Sequence, residues 1–430
     1  MPKLRGCAFL VGGWLAALAP AQDAAWWAKH QEELGALYRH LHQHPELSFH
    51  EHETAARMAK ELGTLGLTVH EGVGGTGLVA VLQRGAGPIG LLRADMDGLP
   101  VAEETGLPYA STVRAASAEG RAIGAMHACG HDLHMTCLVG AARWFVQHPD
   151  SFSGTLLFQL QPAEERAGGM KAMIADGLLT RFGRPQWAIA LHTAADLPHE
   201  QVGIRSGFTM ANVDSCDITV FGKGGHGASP HLTIDPIVQA AQLVLDLQTI
   251  VSREIDPLQA CVITVGAIEG GNKHNIVPDR CHLQATVRSY DAGVRERMLA
   301  AIERKAKAVA ASYGAPAPKV EFSEHTPALR NHEALTATVR GGLIAALGAA
   351  AVVEIPPVMS AEDFGRLYAE DIPLCMFRLG TIAPERLARM QVADGAPGLH
   401  SARYYPDYEV AMWTGVRALV GAVRAAAAAK

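Results

Sequence analysis

The chain has 430 residues, enough for two or three domains of about 150 residues each. Hydrophobic residues make up 49% of it and charged residues 19%, a balance that excludes an intrinsically disordered chain. The formal net charge is -6 and no long basic run is present, so we expect no nucleic acid partner and favour small-molecule chemistry.

The first 21 residues have the pattern of a signal peptide. Lys3 and Arg5 precede an apolar run, residues 7–19, which is shorter than the roughly 20 residues of a membrane-spanning helix. Small residues follow, and they predict cleavage after Ala21. We therefore expect an exported protein, periplasmic or secreted, with no stable membrane anchor. The alternative interpretation is a buried N-terminal helix.

The six cysteines beyond this segment are widely spaced, which favours mostly free, buried thiols.

Helical and strand patterns alternate over residues 22–209. The patterns predict helices at 26–41, 52–65, 132–146 and 168–175, and strands at 78–82, 89–92, 154–159 and 187–191. Such alternation is typical of an α/β sandwich. We assign these residues to the first part of a catalytic domain.

The order changes after about residue 211. Strands are predicted at 217–221, 261–268, 281–287 and 319–322, and helices at 235–250 and 292–312. This β-α-β-β-α-β order is typical of a ferredoxin-like α+β unit, so we interpret residues 210–324 as an inserted domain. Helices at 333–347 and 362–368, a strand at 374–379 and an Ala-rich helix from Tyr408 return the chain to the catalytic domain, residues 325–430.

The strongest local motif is MHACGHDLH, residues 126–134. Cys129 and His131 offer a thiolate and an imidazole two residues apart, a combination that suits zinc-like ions. Gly130 between them frees the backbone. The alternative is a helix start with Asp132 as N-cap and incidental histidines.

A second motif, QPAEE at residues 161–165, follows a predicted strand. Glu164 and Glu165 can take different roles, one binding metal and the other accepting a proton from water. A solvated acidic pair that opens the next helix is the alternative. His192 ends a predicted strand and His400 lies in GLHSAR, and each is a weak signal alone because such histidines are often structural.

Together these motifs resemble the M20 metallopeptidases, in particular the amidohydrolase branch with hippurate hydrolases, N-acyl amino acid amidohydrolases and auxin-conjugate hydrolases. The resemblance covers nearly the whole mature chain. The matching segments are LHQHPEL (41–47), LRADMDGLP (92–100), MHACGHD (126–132), QPAEE (161–165), GKGGHGASPH (222–231), HNIVPD (274–279), MSAEDF (359–364) and Leu399-His400.

The resemblance implies two divalent metal ions per subunit, either Zn, Mn, Co or Ni. It implies metal ligands at Cys129, His131, Glu165, His192 and His400. Glu164 would be the general base, and Asp97 the carboxylate that orients a ligand, with a turn residue beside Gly98 as the alternative for Asp97. It further implies that residues 210–324 form a lid through which the chain forms a homodimer.

Three further residues match positions with a role in catalysis or substrate binding. His226 resembles the histidine that stabilises the developing oxyanion, often across the dimer interface, although a plain loop histidine is the alternative. Asn275 and Arg288 resemble residues that recognise the substrate carboxylate, and a strand-end salt bridge is the alternative for Arg288. The sequence departs from the family pattern at Gly98 and at Arg166-Ala167, which leaves the substrate uncertain.

These observations predict a metal-dependent amidohydrolase that cleaves N-acyl amino acids of the hippurate type, with metal-activated water and a Glu base. No G-x-S-x-G motif supports a serine nucleophile. One rival is a metallo-dipeptidase or carboxypeptidase with the same machinery. Another is a non-catalytic periplasmic protein that binds metal or ligand. Glu164 argues against the second rival, because a binding module has no use for an acid-base carboxylate.

Overall fold

The computed structural model describes residues 20–116, 120, 122–392 and 397–429, so most of the predicted signal segment lies outside the described residues. The α-helices are α1 (Pro20–Gln43), α2 (His52–Thr64), α3 (His131–Gln147), α4 (Gly169–Ala175), α5 (Leu178–Arg181), α6 (Pro236–Thr249), α7 (Ala292–Ser312), α8 (Glu333–Leu347), α9 (Arg366–Ala369), α10 (Pro384–Val392) and α11 (Tyr408–Ala428). The strands are β1 (Thr68–Val73), β2 (Gly77–Arg84), β3 (Ile89–Asp95), β4 (Arg114–Ala116), β5 (Ala122–Gly124), β6 (Gly154–Gln161), β7 (Trp187–Pro198), β8 (Val202–Ile204), β9 (Gly207–Met210), β10 (Asn212–Phe221), β11 (Gly225–His226), β12 (Cys261–Glu269), β13 (Ile276–Val277), β14 (Arg280–Ser289), β15 (Lys319–Thr326), β16 (Leu329–Asn331), β17 (Val352–Glu354) and β18 (Leu374–Ile382).

The larger sheet has eight strands in the order β1-β2-β6-β3-β7-β18-β8-β17. Its centre is parallel, since β3 pairs in parallel with both β6 and β7, and β7 with β18. Parallel strands read as apolar runs because both of their faces are covered. Their carboxyl ends share one edge of the sheet, where α/β proteins bind ligands.

Helices cover both faces of this sheet. Helices α1, α2, α3, α8 and α11 pack on one face around a core that includes Leu34, Met58 and Phe145. Residues of α4, α5 and α9, among them Met170 and Leu367, close the other face. The predicted α/β/α sandwich is confirmed.

Helix α11 alone, within the described part of the chain, is long and apolar enough to cross a membrane. It packs against α8 and α3, and 61% of its most apolar window is buried inside the protein. A core helix passes the same length and hydropathy test, so this finding is weak evidence for a membrane span.

The smaller sheet is antiparallel, with the order β12-β14-β10-β15. Alternate residues of β10, namely Cys216, Ile218 and Val220, are buried in a core with α6 and α7. The other alternate residues lie half-buried on the opposite face of the sheet. We call this unit the lid; its strands extend from Asn212 to Thr326, two residues past the predicted limit of 324.

Two local predictions differ from the structure. The segment predicted as a helix at 362–368 is a 3₁₀ turn, Asp363–Gly365, followed by the single turn of α9. The side chain of Glu362 caps this turn by accepting from the N–H of Phe364, while its carboxylate faces the protein interior. Helix α6 continues into a π-helical turn, Ile250–Glu254.

The six cysteines beyond residue 21 are all free thiols, as predicted.

Candidate metal centre

Four different segments bring the predicted ligands to the carboxyl edge of the larger sheet. Cys129 and His131 flank Gly130, the N-cap of α3, whose φ of 81° and close approach to Thr193 leave no room for a side chain. The N-cap is thus Gly130 and not Asp132, which corrects the helix-cap alternative. The remaining two segments of ligands are the loop after β6, with Glu164 and Glu165, and strand β7, with His192.

His400 approaches from the loop before α11, where it has a positive φ of 67°. Its backbone N–H donates to the carbonyl of Ala128 at 2.8 Å, which ties the loop to the Cys129 segment. Backbone strain of this kind in a non-glycine residue persists only where surrounding contacts enforce it.

The donor atoms lie within metal-binding range of one another. Cys129 Sγ is 3.5 Å from His192 Nε2, and Glu165 Oε1 is 3.8 Å from His131 Nε2 and 3.6 Å from His400 Nε2. The donor atoms of Cys129, His131 and His192 are all within 4.8 Å of one another, as are those of Cys129, Glu165 and His400. Cys129 therefore belongs to both groups, and Glu165 lies near His131 as well as His400.

These donors fit divalent metal. His131 Nε2 and Glu165 Oε1 are buried and have no hydrogen-bond partner among the described residues, which is rare for buried polar atoms. Burial, reinforced by nearby Glu165, raises the pKa of the Cys129 thiol, and burial raises the pKa of Glu165 to about 7. A divalent cation reverses both effects, because it favours the thiolate and the carboxylate.

Backbone carbonyl groups set the orientation of the His131 and His192 imidazoles. His131 Nδ1 donates to the carbonyl of Asp97 at 2.8 Å, and His192 Nδ1 to the carbonyl of Thr193 at 2.8 Å. Each ring therefore directs Nε2 into the site. Outer hydrogen bonds of this kind are general in metal sites, where they fix the tautomer.

The Asp97 carboxylate organises the loop of the two glutamates. It accepts from the N–H groups of Glu164 and Glu165, at 3.1 and 3.0 Å, and from the Ser48 hydroxyl at 2.7 Å. Burial alone raises the pKa of Asp97, but its hydrogen bond to His131 and these donors outweigh burial and lower it. Asp97 thus stays charged and fixes the loop, which is an orienting role.

Glu164 points into the pocket beside His131, with 4.0 Å between Oε2 and His131 Nε2. Burial raises its pKa well above the usual value, and the carboxylates of Glu362 and Glu165 raise it further. A carboxylate in such surroundings holds a proton more readily than an exposed glutamate, which suits a group that must accept and return one.

Sequence reasoning missed a second layer of polar residues. Thr193 donates its N–H to His134 Nε2 at 2.8 Å, so the proton of His134 is on Nδ1 and is donated to Asp95 at 2.6 Å. Thr193 also accepts from the ring of His192. Asp95, His134 and Thr193 therefore connect strand β3 to a predicted ligand. The available signal was Asp95 itself, a charged residue at the end of an apolar strand.

Arg93 lies beneath this layer and is fully buried. Its guanidinium donates to Gln161 at 2.9 Å, to Asp95 at 2.7 Å and to both carboxylate oxygens of Glu362, at 2.8 and 3.2 Å. Asp363 and Glu362 lie beside Glu164, with oxygens of the three within 4.8 Å. Although MSAEDF was noted in the sequence, nothing local revealed that its two carboxylates meet a buried arginine.

A third buried group supports the start of α3. His42 at the end of α1 contacts Asp132 at 2.7 Å and Glu103 at 3.1 Å. Burial lowers the pKa of His42, but the hydrogen bonds and charges of both carboxylates outweigh it and raise the pKa to about 9. His42 is therefore an imidazolium near neutral pH.

The metal-ligand candidates open into a cavity of about 630 Å³ between the larger sheet and the lid. The lid contributes alternate residues of three strands, the face opposite its helices: Val213, Ser215, Thr286, Arg288, Glu324 and Thr326. Arg288 is half-buried and donates to the Met359 carbonyl at 2.9 Å and to the Thr286 hydroxyl at 3.2 Å. No carboxylate of the described residues pairs with Arg288.

His226 and Asn275 lie elsewhere. His226 is exposed on the two-stranded ribbon of β11 and β13, and Asn275 is its neighbour, bonded through its carbonyl to the N–H of Gly227. Neither residue lines the cavity of its own chain. The structure therefore brings together eight of the ten predicted residues and leaves His226 and Asn275 apart. The eight are Asp97, Cys129, His131, Glu164, Glu165, His192, Arg288 and His400.

Thiolate, imidazole and carboxylate donors around a water-accessible cavity, with a further carboxylate next to them, define a metallohydrolase. The model of peptidase family M20/M25/M40 matches residues 91–394, and the chain belongs to this family. The expected hydrolase of amide bonds is thereby confirmed.

Relatives and solved structures agree with this membership. The chain is 38% identical to the N-acetyl-L-cysteine deacetylase of Bacillus subtilis over 352 residues, 82% of this chain and 81% of the relative. It is 38% identical to thermostable carboxypeptidase 1 of Saccharolobus solfataricus over 350 residues, 80% and 85% of the two chains. The crystal structure of Bacillus subtilis YXEP, a dinuclear metal-binding peptidase of the M20 family, superposes with a TM-score of 0.73 at 28% identity, covering 92% of this chain and 98% of YXEP.

Proposed function

We propose that the protein hydrolyses the amide bond of N-acyl amino acids with the help of two divalent metal ions. The observation that carries the proposal is the convergence of five donor residues from distant segments, with Glu164 directly beside them in one cavity. Cys129, His131, Glu165, His192 and His400 would hold the ions.

The ions, when bound, lower the pKa of a water molecule and polarise the amide carbonyl. Glu164 takes the proton of the attacking water and returns it to the departing amine nitrogen, so the C–N bond breaks and a free amine and a carboxylate leave. Asp97 keeps the Glu164 loop in place through the two backbone N–H groups. No covalent intermediate with the protein is needed.

The walls of the cavity support an N-acyl amino acid as substrate. Arg288 is a cation without a carboxylate partner among the described residues, which suits the carboxylate of the substrate. Met210, Val358 and Leu399 supply apolar surface for an acyl group. The name of the Bacillus subtilis relative, a deacetylase of N-acetyl-L-cysteine, supports the same class.

A carboxypeptidase or dipeptidase is the second candidate, favoured by the name of the Saccharolobus solfataricus relative. Both reactions would use the same ligands and general base, and they differ in the acyl group, which is an amino-acid residue in a peptide and a simple acid in an N-acyl amino acid. The purified protein should release amino acid from N-acetyl and N-benzoyl amino acids faster than from free dipeptides. The reverse order would favour the peptidase.

The metal requirement is tested on the same assay. Exhaustive chelation should abolish the release of amino acid, and added zinc, manganese, cobalt or nickel should restore it. Metal analysis of the purified protein should give two ions per chain. Full activity in a sample shown to be free of metal would contradict the mechanism.

A homodimer through the lid is part of the proposal. Val238 and Leu245 lie two turns apart on α6 and are 49% and 70% exposed, and Ile268 on the edge strand β12 is 50% exposed. Exposed apolar residues beside a free strand edge are typical of a subunit interface. The pairing would give His226 a place in the partner's cavity. Light scattering that shows a monomer would contradict it.

Export with cleavage after Ala21 also remains a proposal. Of the residues described in α1, cleavage there would remove Pro20 and Ala21. Mass spectrometry of the protein recovered from its native host should show a chain that begins at Gln22. An intact N-terminus recovered from the cytoplasm would contradict export.

A further inference from the structure

We propose that the cavity prefers substrates with a second carboxylate and that Arg166 binds this group. The inference rests on the proposed amide hydrolysis and narrows its substrate class. Arg166 directly follows Glu165 and lines the same cavity as Cys129 and His400. A cation in the wall of this cavity can attract an anionic group of the substrate.

Of the three arginines that line the cavity, Arg166 is the one for which the described residues provide no hydrogen-bond or ion-pair partner. Arg378 pairs with Asp196 at 3.1 Å. Arg288 donates to a carbonyl and a hydroxyl and is assigned above to the first carboxylate of the substrate. The exposed side chain of Arg166 forms no hydrogen bond or ion pair with any residue that the structure describes. Its planar set of donors is therefore available for a carboxylate.

The backbone around Arg166 is held in place. Ala163 and Ala167 both adopt positive φ values, 47° and 52°, which are unfavourable for alanine. The turn is closed by hydrogen bonds from the N–H of Ala167 to the Glu164 carbonyl, at 2.7 Å, and from Gly168 to Ala163, at 3.2 Å. Arg166 thus starts from a fixed point beside the metal ligands, although its side chain can move.

Glu324 on the lid side has the opposite charge and sharpens the inference. Its Oε2 accepts from the Ser215 hydroxyl at 2.7 Å, and no arginine or lysine neutralises it among the described residues. A substrate anion in this cavity is repelled by Glu324 and attracted by Arg166. The two residues therefore discriminate between substrates by charge, whereas the apolar walls discriminate between them by size.

The experiment uses two substrate pairs that differ in charge but hardly in shape. The first is N-acetyl-L-glutamate against N-acetyl-L-glutamine, with the second group on the amino acid. The second is N-succinyl-L-alanine against N-succinamoyl-L-alanine, with that group on the acyl chain. For the metal-loaded enzyme we expect kcat/KM to favour the acid by about tenfold in one pair, and that pair identifies the side that Arg166 serves.

Variants test the assignment. Arg166→Gln should bring the acid-to-amide ratio of kcat/KM close to one, and Arg166→Lys should keep an intermediate ratio. Glu324→Gln should raise the ratio, because it removes the repulsion. The matched control is Arg184→Gln, which removes another exposed arginine that does not line the cavity and should leave the ratio unchanged.

Binding provides a readout that is independent of turnover. Calorimetry on Glu164→Gln protein should show tighter binding of the acid than of the amide in the favoured pair. Cleavage of the amides with ratios at or below one in both pairs would overturn the role of Arg166 and leave the proposed function standing. Failure to cleave any of the four compounds would overturn both.

Discussion

Two polar regions lie on opposite sides of the cavity and hold their side chains in different ways. We call the buried residues beneath the candidate ligands, among them Arg93 and Asp97, the floor, and the lid residues that line the cavity, among them Arg288 and Glu324, the lid face. On the floor, Arg93 and Asp97 are buried and each forms hydrogen bonds with several partners. On the lid face, Arg288 and Glu324 are partly exposed and have one or two partners. The floor is preorganised by the protein alone, whereas the lid residues keep charged groups available to a substrate.

The largest effect should come from the floor. Glu164→Gln removes the proton acceptor but keeps the size of the side chain, so kcat should fall by a factor on the order of 10² to 10⁴. Metal content, measured by plasma emission spectrometry, should remain near that of the wild type. The matched variant Glu165→Gln weakens a ligand instead, so it should lose metal and regain activity in excess metal.

Rescue of Glu164→Gln by metal would contradict the division of roles between the two glutamates. Equal metal loss in both variants would make both of them ligands. Asp97 would then be the next candidate for the general base, although its backbone contacts favour an orienting role.

The second prediction asks whether the lid needs a partner. His226→Ala should lower kcat by a factor of about 10² to 10³, the usual cost of losing an oxyanion donor, although His226 is outside the cavity of its own chain. Subunits that carry His226→Ala should complement subunits that carry Glu164→Gln, because a mixed dimer has one complete site. Random mixing should recover about a quarter of wild-type activity.

Each variant measured alone is the control for the mixture. If the mixture is no more active than the two variants separately, His226 does not act across a dimer interface. If His226→Ala alone has wild-type kcat, the histidine has no role in the reaction, and the loop alternative for this residue holds.

The third prediction uses the buried imidazolium of His42. Its folded pKa of about 9 exceeds the ordinary value of 6.5, so the stabilisation is fully present below pH 6.5 and is lost as the pH rises towards 9 and beyond. The difference in the free energy of unfolding between wild type and His42→Gln should shrink by about 3 kcal/mol across that window. Urea unfolding at pH 6, 8 and 10 measures it.

The exposed His44, two residues further on, supplies the control. His44→Gln, measured in parallel, shows what the replacement of an exposed histidine does by itself. A constant difference between wild type and His42→Gln at all three pH values would show that His42 is not charged in the folded protein.

Local signals explain which parts of the structure could be predicted. The helical pattern of the sequence predicts α7 and α8 with the observed limits, and in the structure the side chains of Asp291 and His332 cap these helices. The turn at Glu362 was mistaken for a helix start because its carboxylate binds Arg93, which is 269 residues away in the chain. Contacts over such distances leave no periodic pattern.

The candidate site divides in the same way. Cys129, His131, Glu164 and Glu165 stand in compact motifs and were predicted from residue types, and the resemblance to a family added His192 and His400. The support given by Thr193 to His134 and His192 depends on the pairing of strands and is invisible in one sequence. His226 is further removed, since its proposed place requires a second copy of the chain.

The smallest effect comes from two aspartates on one lid strand that face opposite sides. Asp214 is 1% exposed and accepts from Arg295 Nε and Nη2, both at 2.6 Å, whereas Asp217 on the open face contacts His282 at 3.0 Å with both side chains 35% exposed. Asp214→Asn should destabilise the protein by about 1–3 kcal/mol, because it removes the charge from a buried carboxylate that accepts two hydrogen bonds from Arg295. Asp217→Asn should cost less than about 1 kcal/mol, because solvent screens the pair. Chemical unfolding of both variants at pH 7 gives the comparison. Equal losses would mean that the open face of the lid is covered in solution, as it would be if a second subunit packed against it.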